Sequence, residues 1–277
     1  MKHTFIILLC LLTTSVFAQS SKLIKLDVKG YRAKLSANGN ELIYTSTGLK
    51  GLKYYNLKER KEKILSEEIG AGYQPFFNNG KIVFQEKVGG VERLKEYNLL
   101  SKNSVLIKSD KSPREWLTQK VSTSSRVSKV EAMVASTSER LNKYELTYSD
   151  GSRQSMSPMG TNEKYIWVNL SPDKTKVLFK VVGLSAFVAD LKGNILHDLG
   201  DLDSPKWVDD SKIVYMKTEE DHDSFIKADI YTVDLSNLEH QKLTEGIDQI
   251  ALYPDMVSNK LVFNTPTGDI YLLEIAQ

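Results

Sequence analysis

The amino-acid sequence predicts an all-β fold, a six-bladed β-propeller of four-stranded antiparallel blades. Three observations carry that prediction: a recurring β-type run, turn residues ahead of most of these runs, and an unmatched strand at the N-terminus. The runs are Leu42-Ile43-Tyr44, Ile82-Val83-Phe84, Ala132-Met133-Val134, Val177-Leu178-Phe179, Ile213-Val214-Tyr215 and Leu261-Val262-Phe263. Their last residues stand on average about 44 apart, a spacing suited to the blades of a propeller.

The turns ahead of the runs are Ser36-Ala37-Asn38-Gly39, Asn78-Asn79-Gly80, Ser171-Pro172-Asp173-Lys174, Asp209-Asp210-Ser211 and Ser258-Asn259. Asn, Asp and Gly supply the left-handed backbone of a tight hairpin. A third strand follows each run, at Leu52–Leu57, Leu94–Leu99, Lys143–Tyr148, Ala186–Leu191, Asp229–Leu235 and Asp269–Ile275. A fourth, weaker strand is expected at Lys63–Leu65, Val105–Ile107, Gln154–Met156, Asn194–Leu196 and Lys242–Thr244. The sixth repeat has no fourth strand before Gln277. Lys22–Val28 alternates polar and apolar residues and belongs to no repeat. Pairing it into the last blade closes the ring and leaves only short, protected edges.

Ser171-Pro172-Asp173 with Val177-Leu178-Phe179, and Asp229-Ile230-Tyr231-Thr232-Val233-Asp234-Leu235 with Lys242-Leu243-Thr244, resemble the TolB-type six-bladed propeller repeat. That repeat has a Ser-Pro-Asp-Gly turn, a strand, an Ile-Tyr-x-x-Asp strand and then Leu-Thr. The resemblance spans nearly the whole chain after the N-terminal segment. It is close in blades four to six and poor in blade three, about Trp116 to Gly160, and Lys174 stands where the repeat has glycine. It implies architecture and leaves activity open, because related repeats serve binding proteins, peptidase gate domains and carbohydrate-active enzymes.

The N-terminus reads as a secretory signal over residues 1–18. Lys2 and His3 open it, Phe5 to Val16 is mainly apolar, and Val16-Phe17-Ala18 forms the cleavage site. The apolar run is shorter than the roughly 20 residues that cross a bilayer. Residues 19–277 are then a single propeller domain, exported to the periplasm or the medium, with no transmembrane segment. Cys10, the chain's 1 cysteine, lies within the apolar run with Leu9 before it, so lipidation is not expected. The domain therefore holds without disulfides, which its length allows. With 37 basic and 35 acidic residues the chain lacks the basic excess of a nucleic-acid binder.

The loop-rich face of the propeller carries the fourth-to-first and second-to-third connections and is the expected binding face. Tyr31, Tyr73, Trp116, Tyr165, Trp167 and Tyr253 gather where the innermost strands begin, and Arg114 lies beside Trp116 in the longest connection. Flat rings with a polar edge suit sugars or peptide side chains. Packing between blades is the competing role for such rings. Tyr73, Arg114, Trp116, Tyr165, Trp167 and Tyr253 are the candidate ligand-binding residues.

The loop Glu219-Glu220-Asp221-His222-Asp223 is the densest polar cluster, and Asp221, His222 and Asp223 are candidate cation ligands. Its spacing departs from the twelve-residue calcium loop, and a solvated, charged hairpin tip is the favoured explanation. After residue 18 the histidines are His197, His222 and His240. No Gly-x-Ser-x-Gly elbow, cysteine nucleophile or glycine-rich phosphate loop appears. No catalytic residue is assigned and no cofactor is expected. The sequence thus points to an exported binding module or scaffold for an envelope protein, peptide or glycan. The alternative is a polysaccharide hydrolase or lyase using the same loop-rich face, a reading that rests on the aromatic set and on the acidic loop with His222.

Overall fold

The computed structural model describes residues 21–107, 130–222 and 224–276. The chain is built of antiparallel β-strands. The first is β1 (Lys22–Lys29). Then come β2 (Tyr31–Leu35), β3 (Glu41–Thr45), β4 (Lys50–Asn56) and β5 (Lys61–Ile69), which pair in that order. They are followed by β6 (Phe76–Asn78), β7 (Lys81–Val88), β8 (Val91–Asn98) and β9 (Ser104–Ile107). One backbone bridge, Ile69 with Lys87, links this group to the preceding one.

Next are β10 (Ala132–Thr137), β11 (Tyr144–Tyr148) and β12 (Arg153–Met156), paired as a three-stranded sheet. The innermost strand expected there, with Trp116 and Arg114, lies outside the described residues. Two four-stranded sheets follow. One is β13 (Tyr165–Leu170), β14 (Lys176–Val181), β15 (Ala186–Asp190) and β16 (Ile195–Asp198). The other is β17 (Asp203–Trp207), β18 (Lys212–Asp221), β19 (Ser224–Asp234) and β20 (Glu239–Lys242). The last strands are β21 (Leu252–Val257), β22 (Lys260–Asn264) and β23 (Asp269–Glu274), and β1 pairs antiparallel with β23.

Outside the three-stranded sheet, where the run falls on β10, the recurring runs of the sequence form the second strand of each group, and they are its most buried part. The reason is that alternate side chains enter different cores. On β3, Leu42 and Tyr44 join a cluster with Leu26 and Val28 of β1 and Val262 and Leu272 of the C-terminal sheet. Ile43 points the other way, to Leu52, Ile82 and Phe84. On β14, Val177 and Phe179 pack with Tyr144, Leu146 and Tyr165, while Leu178 packs with Ile213 and Tyr215. On β18, Val214 and Met216 turn away from that cluster toward Leu252 and Phe263. The strands β3, β14, β18 and β22 are thus each shared between two inter-sheet cores.

The hairpins that enter these strands use the left-handed backbone their residues allow. Gly39, Asn79 and Gly80 all have positive φ, and Lys174 takes φ 60° at the glycine position of the resembled repeat. Asp173 carries that turn instead: its carboxylate accepts from Ser171, Thr175 and Lys176, and its own N–H donates to Asp210 of the next sheet. The β20 strand ends on Lys242, the first residue of the expected Lys242–Thr244 run. Thr244 turns inward there, donating to Asp229 and accepting from the N–H of Ile230.

On the outer strand of the β17–β20 sheet, Tyr215 meets His240 Nδ1 at 2.6 Å. Burial raises the pKa of Tyr215, so the phenol stays protonated and donates. Desolvation, with Lys217 nearby, lowers that of His240. Its folded pKa therefore lies below the unfolded value of 6.5, and the neutral ring is the form the fold prefers. This contribution to stability is full above pH 6.5 and is lost as pH falls through the folded value. We expect the urea midpoint of the wild type to drop on acidification below that pH, and this part of the slope to vanish in His240→Asn.

Candidate functional site

The innermost strands surround a cavity of about 1750 Å³. Each described one carries a residue in the left-handed region: Arg32 (φ 53°) on β2, Trp167 (φ 50°) on β13, Ser204 (φ 48°) on β17 and Tyr253 (φ 55°) on β21. Gln74 (φ 52°) holds the same place just ahead of β6. The pairing register slips at these points, between Tyr31 and Lys34, Ile166 and Asn169, Asp203 and Lys206, and Leu252 and Asp255. The slips are β-bulges, which bend a strand and re-aim its side chains.

The bulge has the same consequence each time. The left-handed residue lines the cavity, and all five do so. The residue after it, Ala33, Pro75, Val168, Pro205 or Pro254, is buried. Three of these followers are prolines. An unpaired bulge position on a sheet edge suits a residue without an N–H. Non-glycine residues in this backbone region cost about 1–2 kcal/mol each.

Polar contacts fix the wall. Asp255 accepts from the backbone N–H of Leu35 at 2.8 Å and from Lys206 Nζ at 3.2 Å, tying β21 to β2 and β17. Lys34 Nζ donates to the carbonyl of Pro75 at 2.8 Å. The Arg32 guanidinium lies over the Tyr253 ring, 5.0 Å from its centroid. Lys180 lies over Trp167 at 5.4 Å and donates to Asp201 and Asp203 at 2.6 and 2.8 Å. Burial works against its charge, but the two carboxylates outweigh it and raise its pKa. Thr218 donates to the other oxygen of Asp203.

Among the candidate residues, Tyr73, Trp167 and Tyr253 line this cavity together. Tyr73 is 55% exposed and Trp167 36%. Tyr165 is placed elsewhere. It is fully buried against Tyr144 and Phe179, accepts from the N–H of Met159 and donates to the carbonyl of Gly160. It is a packing ring with no surface for a ligand. Tyr31 bonds the Pro266 carbonyl and is not part of the wall. Arg114 and Trp116 lie outside the described residues.

Asp221 and His222 form the tip of the long β18–β19 hairpin. The His222 side chain is 94% exposed, with Nδ1 2.7 Å from the Asp221 carboxylate, and Asp223 lies outside the described residues. Among the described residues no three His, Cys, Asp or Glu side chains converge to hold a metal ion. Lower on the same hairpin, Glu220 and Phe225 do reach the cavity wall.

Arg32, Gln74, Ser204, Lys206 and Asp255 were not singled out by sequence. A signal existed: Gln74-Pro75, Ser204-Pro205 and Tyr253-Pro254 each put proline inside an expected innermost strand, where it marks a bulge or an edge.

No protein-family model and no curated protein matches the chain. Solved structures do. A protein of unknown function from Bacteroides thetaiotaomicron is similar over 92% of this chain and 76% of its own, with a TM-score of 0.56 at 8% identity. The putative TolB of Agrobacterium tumefaciens is similar over 92% of this chain and 97% of its own, with a TM-score of 0.51 at 12% identity. The fold is that of a β-propeller. A luciferin-regenerating enzyme is also similar, over 92% and 95% of the two chains, with a TM-score of 0.51 at 9% identity. Identities this low speak for the fold alone, and propellers admit both binding and catalysis. No helix among the described residues is long and apolar enough to cross a membrane.

Substitutions at Asp255, Lys206 and Gln74 test the wall. Asp255→Ala removes a charged acceptor shared by three innermost strands and should cost about 1.5–3 kcal/mol in urea unfolding, whereas Lys206→Met, which spares the bond to Leu35, should cost less. Gln74→Gly should be tolerated, and Gln74→Val should lose about 1–2 kcal/mol, because a β-branched side chain fits the left-handed region poorly.

Proposed function

We propose that this protein is an exported binding module. In this reading residues 1–18 are removed, the propeller has six blades, and β1 closes the ring against β23. The module recognises an envelope protein, peptide or glycan at the mouth of the central cavity. The observation that carries the reading is the set of five left-handed residues, four of them at bulges, each lining one cavity in a backbone geometry that costs stability. Strain repeated at equivalent places and aimed at one space is a mark of function rather than of packing.

The wall is also preorganised. Several of its charged side chains are tied by Lys206–Asp255, Lys180–Asp203 and the Arg32–Tyr253 stack, so these have little freedom left to lose on binding. The exposed rings of Tyr73 and Trp167 supply contact area at low entropic cost.

The test is capture from gently solubilised envelope with the C-terminally tagged, processed protein, followed by mass spectrometry and glycan analysis. A ligand held near stoichiometry by the wild type and depleted about tenfold by Tyr73→Ala/Trp167→Ala supports the cavity as the site. Undiminished capture by a double variant that melts like the wild type would remove it.

A further inference from the structure

The nature of the ligand can be argued from the cavity wall, taking as given that the cavity is the binding site. The five left-handed residues supply a guanidinium, a carboxamide, an indole, a hydroxyl and a phenol: Arg32, Gln74, Trp167, Ser204 and Tyr253. We propose that they read a carboxylate-bearing oligosaccharide, with sugar rings on Trp167 and Tyr253 and the carboxylate on Arg32.

The backbone argues against an extended peptide. A peptide added to a sheet edge needs a continuous row of unpaired N–H and C=O groups. The innermost strands are edges, but the described ones are interrupted by a bulge or, at β6, by a strand of only 3 residues. Bulges twist an edge away and spoil it as a template. Proline at 75, 205 and 254 also removes a donor from three of these edges. Recognition at this wall therefore falls to side chains.

The side chains match a sugar. A pyranose offers flat C–H faces and hydroxyls that both donate and accept. Trp167 and Tyr253 give ring surface, and one face of each is pinned by a cation, Lys180 or Arg32. Gln74 and Ser204 can donate and accept, as can Asn142 and Thr218 on the same wall.

The charge points to an anion. Arg32 is exposed, and among the described residues no carboxylate pairs with it. Asp255, on the same strand as Tyr253, is already engaged by the Leu35 N–H and Lys206. The guanidinium stacked on Tyr253 keeps its planar fork of donors, which matches a carboxylate in bidentate fashion.

The experiment is calorimetric titration of the processed protein with α- and β-linked uronic-acid tetrasaccharides, their carboxyl-reduced counterparts and tetraglutamate. The wild type should bind a uronate tetrasaccharide about tenfold more tightly than its reduced form. Arg32→Gln should abolish that preference, and Arg32→Lys should restore part of it. Trp167→Ala should weaken both forms about tenfold, whereas Trp167→Phe, which keeps a ring, should retain most binding. Thermal unfolding checks that each variant is folded.

Equal binding of acidic and reduced sugars would overturn the assignment of an anionic ligand. Tetraglutamate bound more tightly than either sugar, and lost in Trp167→Ala, would overturn the sugar class and leave the cavity as the site. If no tetrasaccharide binds while envelope capture remains sensitive to Trp167, the inference falls alone. If capture is insensitive as well, the cavity reading falls with it.

Discussion

Burial of β3, β7, β14, β18 and β22 on both faces is the constraint on which the structure depends. A side chain such as Leu42, Phe84, Phe179 or Phe263 is fully buried, and each such burial is worth roughly 1.5–3 kcal/mol. Only half of these contacts lie on any one side of the strand. Leu42 and Tyr44 need the N-terminal and C-terminal strands, while Ile43 needs β7. Leu178 needs β18, and Val214 needs the C-terminal sheet. A sheet taken alone would expose half its core, so the sheets stand or fall with their neighbours.

That dependence sets the inner strands free for another use. With the core supplied by the second and third strands, the innermost strand has one neighbour and one edge facing the cavity. It can break register without opening the core, because the residue after each left-handed one is still buried. The strain is affordable where packing is over-determined and shows up where side chains must be aimed. Arg32, Gln74, Trp167, Ser204 and Tyr253 share this origin although their chemistry differs.

Polar ties then carry the arrangement from sheet to sheet along the wall. Lys174 reaches Glu131 and Met133, Lys180 reaches Asp203, Lys206 reaches Asp255, Asp255 reaches Leu35, and Lys34 reaches Pro75. These bonds join neighbours that lie far apart in sequence, up to 220 residues in the case of Leu35 and Asp255. A change at one position of the wall is therefore felt by the adjacent sheets, which links the stability of these bonds to the shape of the cavity.

The sequence by itself determined the strands. The period-2 runs, the Asn, Asp and Gly turns and the spare N-terminal segment are local patterns, and local patterns decide where a strand begins and which residues it buries. Tyr73, Trp167 and Tyr253 were legible as wall residues because rings at the start of an innermost strand are rare enough to notice. Tyr165 shows the limit: it has the same residue type and a neighbouring position, yet one residue of alternation before the bulge sends it into the core. The site was decided only by tertiary structure. Arg32 became a cavity residue through a register slip, and Lys206 and Asp255 became partners through contacts between sheets. Neither event leaves a mark in a single strand, because a bulge is defined by the neighbour it fails to pair with, and an ion pair by a residue that folding alone brings near.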